Sequence, residues 1–236
     1  MIMNAQLIAE ALEEIKPYDK ASEMRRKING LRGLAEESEG RMNKADLALV
    51  ITGNPEGVEV MAKAYAKALK AYGLITGGGA NGPPVGTVNW PRDVEDAGMS
   101  RSMLEYDWAY KIVREAEGRA EGGALIIRNL HDRPYVGWVD EDDAAPKAEA
   151  GGLRAIAQYL TEDAPKGSTP VLVLTGDKEK LPAFISQHPD LYRFFNNKIL
   201  SVCTEAPPEP EVSTALDAAM TVRSPLKLKP RNPAFS

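Results

Sequence analysis

The sequence predicts an α/β protein, a three-layer αβα sandwich built on a mostly parallel five-stranded sheet. Short continuous apolar runs at residues 47–52, 123–127 and 171–175 have the length and β-branched content of strands buried on both faces. Helix-period segments alternate with these runs, as in chains of βαβ units. The chain is 43% apolar and 27% charged, which supports a packed core and excludes a disordered or collagen-like chain.

In chain order, residues 4–39 read as two helices broken near Pro17. Ile8, Leu12 and Ile15 share one helical face, and Met24, Ile28, Leu31 and Leu34 share another. The run 47–52 reads as a strand that ends in the turn residues Gly53-Asn54-Pro55. A helix over 58–73 follows, with Gly73 as its stop. Residues 76–84 (TGGGANGPP) read as a loop and 85–90 as a short strand. Ser102 and Glu105 form a capping-box pattern for a helix over 103–117. A strand is expected over 123–127, an acidic loop over 140–143, a helix over 148–160 and a strand over 171–175. Short helices over 181–185 and 191–195 and a last strand over 199–202 complete the core. The expected organisation is an N-terminal helical segment (1–45), an αβα core (46–203) and an extended C-terminal arm (204–236).

Several functional classes fall away at this level. No apolar run approaches the ~18 residues of a membrane span, and the N-terminal residues lack a basic segment followed by an apolar block. Cys203 is the single cysteine, so an internal disulfide is impossible, and a cytoplasmic setting is expected. A net charge of −5 argues against nucleic acid as a partner.

The strand–turn–helix at 47–73 has the outline of a phosphate-binding loop without its chemistry. Such a loop needs G-x-x-x-x-G-K-[ST], in which the lysine neutralises phosphate oxygens and the hydroxyl holds Mg²⁺. Here the loop reads Gly53-Asn54-Pro55-Glu56-Gly57-Val58-Glu59-Val60. Glu59 stands at the lysine position, Val60 at the hydroxyl position, and Glu56 adds a second carboxylate. Two anions are thus expected to face the place of a triphosphate, which opposes nucleotide binding.

The string 51–55 (ITGNP), followed by 66–75 (AKALKAYGLI), resembles the AAA+ ATPases of the red-type rubisco activase, stage V sporulation protein K and type VII secretion group. Residues 122–127 (GGALII) are similar to the Walker B strand of that group, 173–177 (VLTGD) to its sensor-1 strand, and 184–191 (FISQHPDL) to the segment that carries its arginine finger. The resemblance spans about residues 8–202 and implies a P-loop NTPase, AAA+-like core. Its departures fall on the chemistry. Arg128 and Asn129 stand where Walker B acids would hold the metal–water shell, and Thr175 closes the sensor-like strand. The finger position holds Phe194, with Arg193 one residue early. The pore-loop aromatic is missing from Ala97-Gly98-Met99-Ser100, and the 34 residues after 202 leave no room for the helical lid of the group.

The resemblance therefore implies a catalytically inactive, degenerate AAA+-like protein with no nucleotide cofactor, acting as a structural or adaptor subunit of a larger assembly: an AAA+ complex, a secretion machine or a phage particle. Its partner would be a protein or further copies of itself, reached through the arm. That arm carries Arg223, Lys227, Lys229 and Arg231, and its alternation Leu226-Lys227-Leu228-Lys229 suits an added edge strand. Two other readings stand beside this one. A divergent ATPase would have to use Lys63 or Lys67 on the following helix. A nucleic-acid-associated accessory subunit would show steep salt dependence.

The remaining constellations read as structural. His131-Asp132, at the carboxyl end of a strand, could be a His–Asp pair acting as a base but reads as a solvated loop, since adjacent side chains point apart. His188 reads as a residue bounding a helix. Asp140-Glu141-Asp142-Asp143 lacks the spacing of a Ca²⁺ loop, and Cys203 has no companion, so no metal is expected. The glycines of 76–82 follow a helix rather than a strand, which fails the dinucleotide context.

Overall fold

A computed structural model describes residues 4–37, 41–78, 83–100, 108–132, 141–161, 163–165 and 170–201. The arm residues Arg223, Leu226, Lys227, Leu228, Lys229 and Arg231, together with Cys203 and the Ser102/Glu105 capping box, lie outside the described residues.

The chain opens with α1 (Ala5–Ile15) and α2 (Glu23–Glu37), then β1 (Arg41–Asn43), α3 (Lys44–Leu47), β2 (Leu49–Thr52) and α4 (Pro55–Ala71). It continues through β3 (Val85–Asn89), α5 (Arg92–Ser100), α6 (Trp108–Arg119), β4 (Ala124–Arg128) and α7 (Glu141–Thr161). The last described elements are β5 (Asp163–Pro165), β6 (Val171–Gly176), α8 (Lys180–Gln187), α9 (Pro189–Phe195) and β7 (Ile199–Ser201). Five strands form one all-parallel sheet in the order β3-β4-β6-β2-β7, while β1 and β5 pair antiparallel in a separate ribbon.

Alternation along the strands divides the core between the two faces of this sheet. On one face, Leu49, Ile51, Ile126, Val171 and Val173 pack with buried residues of α1, α2 and α4. On the other, Val50, Val88, Leu125, Ile127, Leu172 and Leu174 pack with α5 through α9. Such double coverage explains why the strands are apolar throughout. Leu49–Thr52 and the first five residues of β6 are buried without interruption.

Local chemistry moves several boundaries from their expected places. The strand expected from Leu47 begins only at Leu49, because Leu47 closes a helical turn that Asn43 caps, its Oδ1 accepting the N–H of Ala45 at 2.9 Å. The helix after β2 starts three residues earlier than its apolar period suggests, because Asn54 caps it and Pro55 occupies its first turn. Gly73, with φ of 69°, stops the chain after α4 as expected. The acidic run is helical from Glu141 onward and opens α7. Helix α5 has no counterpart in the sequence reading, and its Ala97-Gly98-Met99-Ser100 is helical rather than a pore-type loop.

The order of strands places the functional edge. β2 and β6 are neighbours, yet β2 leads into α4 on one face and β6 into α8 on the other. Their carboxyl ends therefore diverge into a crevice, the topological switch point at which open α/β sheets bind ligands.

Candidate functional site

A cavity of about 300 Å³ opens at this switch point. Its walls come from the turn after β2 (Gly53, Pro55), the first turns of α4 (Val58, Glu59), the end of β4 (Arg128, Asn129) and the end of β6 (Thr175, Gly176). His131, Asp132, Asp177 and Lys180 complete it. Of the eleven positions singled out from sequence, the fold thus brings together Gly53, Pro55, Glu59, Arg128, Asn129 and Thr175.

Register explains the grouping. Asn89, Arg128, Thr175, Ile51 and Leu200 form one row across the sheet, each paired with the next. Ile51 and Leu200 pack on the α4 side, so the polar members of the row share that side and meet the start of α4.

The turn itself is closed. Gly53 adopts φ of 137°, a region that favours glycine, and its N–H donates to Gly176 O at 3.1 Å. Asn54 then turns inward: its Oδ1 accepts the N–H of Glu56 at 2.9 Å, and its carbonyl accepts that of Val58 at 2.9 Å. Pro55 has no N–H. Three of the first four helical positions therefore have no donor left for a phosphate, and from Glu59 onward the N–H groups belong to the helix. Gly57 is buried as a helical residue and Val60 joins the core beside α4, so neither forms a loop.

Glu56 is exposed in the first turn of α4 and does not line the cavity. Of the two loop carboxylates expected to face the site, only Glu59 does, and it is paired. Glu59 Oε2 lies 3.0 Å from Arg128 Nη2, and its Oε1 lies 2.8 Å from Lys63 Nζ. Lys63 first, and Arg128 with it, hold the Glu59 carboxyl below the ordinary carboxylate range against the opposing effect of burial. Arg128 also donates from Nη1 to Asn89 Oδ1 at 3.1 Å. Lys67 pairs with Glu14 on α1. Both lysines of α4 that a divergent ATPase would need are thus engaged on the helix flank.

Asn129 serves the backbone. It sits at φ of 55°, a conformation that Asn tolerates better than most residues, and donates its N–H to Thr175 O at 2.8 Å. Asp132 N–H returns to Asn129 O at 2.9 Å, and Trp90 Nε1 donates to Asp132 O at 2.9 Å. This anchored turn overturns the reading of His131 as a solvated loop residue. The His131 side chain is 3% exposed and lies against the backbone of Gly176. Its Nε2 is 3.4 Å from Asp132 Oδ1, so the adjacent side chains converge. His131 Nδ1 is buried without a hydrogen-bond partner, and burial lowers the imidazole pKa.

Next to the Gly176 backbone on which His131 packs, Asp177 Oδ1 accepts the N–H groups of Glu179 and Lys180 at 2.8 and 2.9 Å, which depresses its pKa. Arg193 is not brought to the cavity. It is exposed on α9, its guanidinium 4.5 Å from the Phe194 ring centre. His188 lies between helices, with Nε2 3.3 Å from Glu149 Oε1 on α7. Among the described residues no group of acids, histidines or cysteines could hold a metal, and no helix is long and apolar enough to cross a membrane.

The sequence reading weighed His131-Asp132 and set the pair aside as a loop, and it did not single out Asp177 or Lys180 as site residues. The signal available was positional: each follows an apolar strand by a few residues, at the carboxyl edge. Compared with known proteins, the chain matches no protein-family model and none of the curated proteins.

Proposed function

We propose that this chain is a catalytically inactive, AAA+-like α/β protein that serves as a structural or adaptor subunit of a larger assembly. The observation that carries the reading is the pair Glu59–Arg128. Each residue stands at a position where the resembled ATPases keep the opposite charge, and the two neutralise each other across the cleft at 3.0 Å. A triphosphate entering here would meet no free cation at the lysine position and no carboxylate for Mg²⁺ at the end of β4. The closed turn at Asn54–Pro55 supports the same conclusion, since three of the first four positions of α4 offer no N–H to a phosphate.

Partner contacts would then rest on surface complementarity and on the basic arm from Arg223 to Arg231, against a further copy or another protein. The test has two arms. The purified chain is heated with and without about 1 mM MgATP, where unchanged melting is expected and stabilisation or turnover overturns the inactive reading. The tagged chain is also recovered from its native host, and the intact complex is weighed with and without residues 221–236. A stoichiometric partner that is lost on truncation is expected. A lone monomer, indifferent to truncation, overturns the adaptor reading.

A further inference from the structure

We propose that the groove between α7 and α9 is the docking surface for an acidic peptide segment of a protein partner. This rests on the adaptor reading and adds the place and the chemistry of the contact. The groove has a volume of about 380 Å³ and follows a single stripe of α7. Its lining residues on that helix recur at helical spacing from Ala150 to Thr161, a length of about 16 Å. Asp190 and Arg193 of α9 form the facing wall. The floor is apolar, with Leu153 and Ala157 half-buried and Leu153 packed on the core.

The rim presents donors, and aromatic rings hold them in place. The Arg154 guanidinium lies over Tyr110, 5.2 Å from the ring centre, and that of Arg193 lies over Phe194 at 4.5 Å. A guanidinium laid on a ring keeps its planar N–H edge for a carboxylate. Because stacking already restricts the side chain, less freedom is lost when a ligand binds. The Tyr110 hydroxyl donates to Gln158 Oε1 at 2.9 Å, which leaves the Gln158 amide nitrogen as a donor.

Charge then selects the occupant. Arg154 and Arg193 line the groove with Asp190 as its carboxylate, so its lining is net positive in a chain of net charge −5. Glu149, just before the groove on α7, faces His188 instead, with Oε1 3.3 Å from Nε2. An acidic segment meets two guanidiniums, whereas a basic one meets two like charges. Asp190 separates a peptide from a nucleic acid. A phosphodiester chain carries a charge at every step, while a peptide can set an uncharged residue against Asp190 and an apolar one on Leu153. Arginine beside aromatic rings is also the composition in which protein interfaces concentrate their binding energy.

The test uses the full chain. A fluorescein-labelled peptide, Ala-Glu-Leu-Glu-Ala-Leu, is titrated by fluorescence anisotropy, with its glutamine-for-glutamate counterpart and a short oligothymidylate as comparators. Saturable binding with Kd of about 1 mM or below is expected, weakened at least tenfold by Arg154→Glu or Arg193→Glu. No saturation at about 5 mM, equal binding of the glutamine peptide, or tighter binding of the oligothymidylate overturns the acidic peptide as occupant. The double variant Arg154→Glu/Arg193→Glu is then recovered from the native host beside the parent, and the intact complexes are weighed. Arg154→Gln/Arg193→Gln takes its place if the reversal lowers the urea midpoint. Loss of the parent's partner in the double variant is expected. A partner retained by the double variant overturns docking in this groove and leaves the adaptor reading standing. A parent that returns alone removes the adaptor reading, and the proposal with it.

Discussion

Arg128 Nη2 and Glu59 Oε2 meet at 3.0 Å across the crevice between β4 and α4, and Asn89 fixes the far side of the guanidinium. The side chains are 33% and 38% exposed, so the pair is a screened one, coupled by no more than about 1 kcal/mol. Glu59→Lys would place a cation between Lys63 and Arg128 and should cost about 1 kcal/mol in urea unfolding. Adding Arg128→Asp to that variant should recover most of the loss. If the double variant is no more stable than Glu59→Lys alone, the two side chains do not interact in solution.

The start of α4 rests on one side chain. Asn54→Ala removes the acceptor for Glu56 N–H and should destabilise the protein by about 1 kcal/mol, read as a lower urea midpoint with an unchanged slope. Asn54→Asp keeps the acceptor and should stay within about 0.5 kcal/mol of the parent. Equal losses in both variants would remove the cap from the account.

What the sequence makes legible here depends on how strong the local signal is. The strands at Leu49, Ala124 and Val171 are readable because burial on both faces demands an unbroken apolar run. The start of α4 is not, because Pro55 and Glu56 carry no apolar period and only the cap at Asn54 betrays them. Helix α5 is polar, with Val94 as its fully buried apolar anchor, and is hidden for the same reason. In the site, Glu59 and Arg128 are legible as wrong charges at two positions. Their contact requires the register that sets Arg128 beside Thr175 and Asn89. The burial of His131 is a tertiary fact, made by the Trp90 bond to the turn and the bare backbone of Gly176.

A buried neutral imidazole makes stability depend on pH. The folded pKa of His131 is lowered, so its contribution is fully present above the unfolded value, about 6.5, and is lost as pH falls from there through the folded value. Unfolding free energy measured at about pH 7.5 and 5.5 should therefore drop more in the parent than in His131→Gln, which has no proton to gain. Equal drops would assign the slope to other groups.

Lys27 on α2 is held partly buried beside Lys198, with Asp46 as the opposing charge. Desolvation and the second lysine both lower its pKa. For a lysine the sign is unfavourable at neutral pH: the stabilising contribution is present only above the unfolded value, about 10.4, and is lost as pH falls through the folded one. Lys27→Met keeps the aliphatic stem and removes the charge, so it should stabilise the protein by about 0.5–1 kcal/mol at pH 7. A loss of stability would mean that the Lys27 ammonium is compensated better than its surroundings indicate.

Gly86 in β3 sets how closely α6 can lie on the sheet. A Cβ at this position would fall 2.4 Å from Ala116 O and 2.9 Å from Ala120 Cβ, inside both van der Waals limits. The first obstacle is helix backbone, which cannot rotate away as a side chain would, so α6 must shift as a body and loosen Val113 and Ala116 from the core. Gly86→Ala should therefore cost about 1–3 kcal/mol, the overpacking range, despite the better strand propensity of alanine. Gly118→Ala on α6, where nothing lies within 4 Å of the added carbon, is the control and should be neutral or slightly stabilising. Urea unfolding of the two variants separates the effects: a Gly86→Ala protein as stable as Gly118→Ala would mean that β3 and α6 do not pack at this distance.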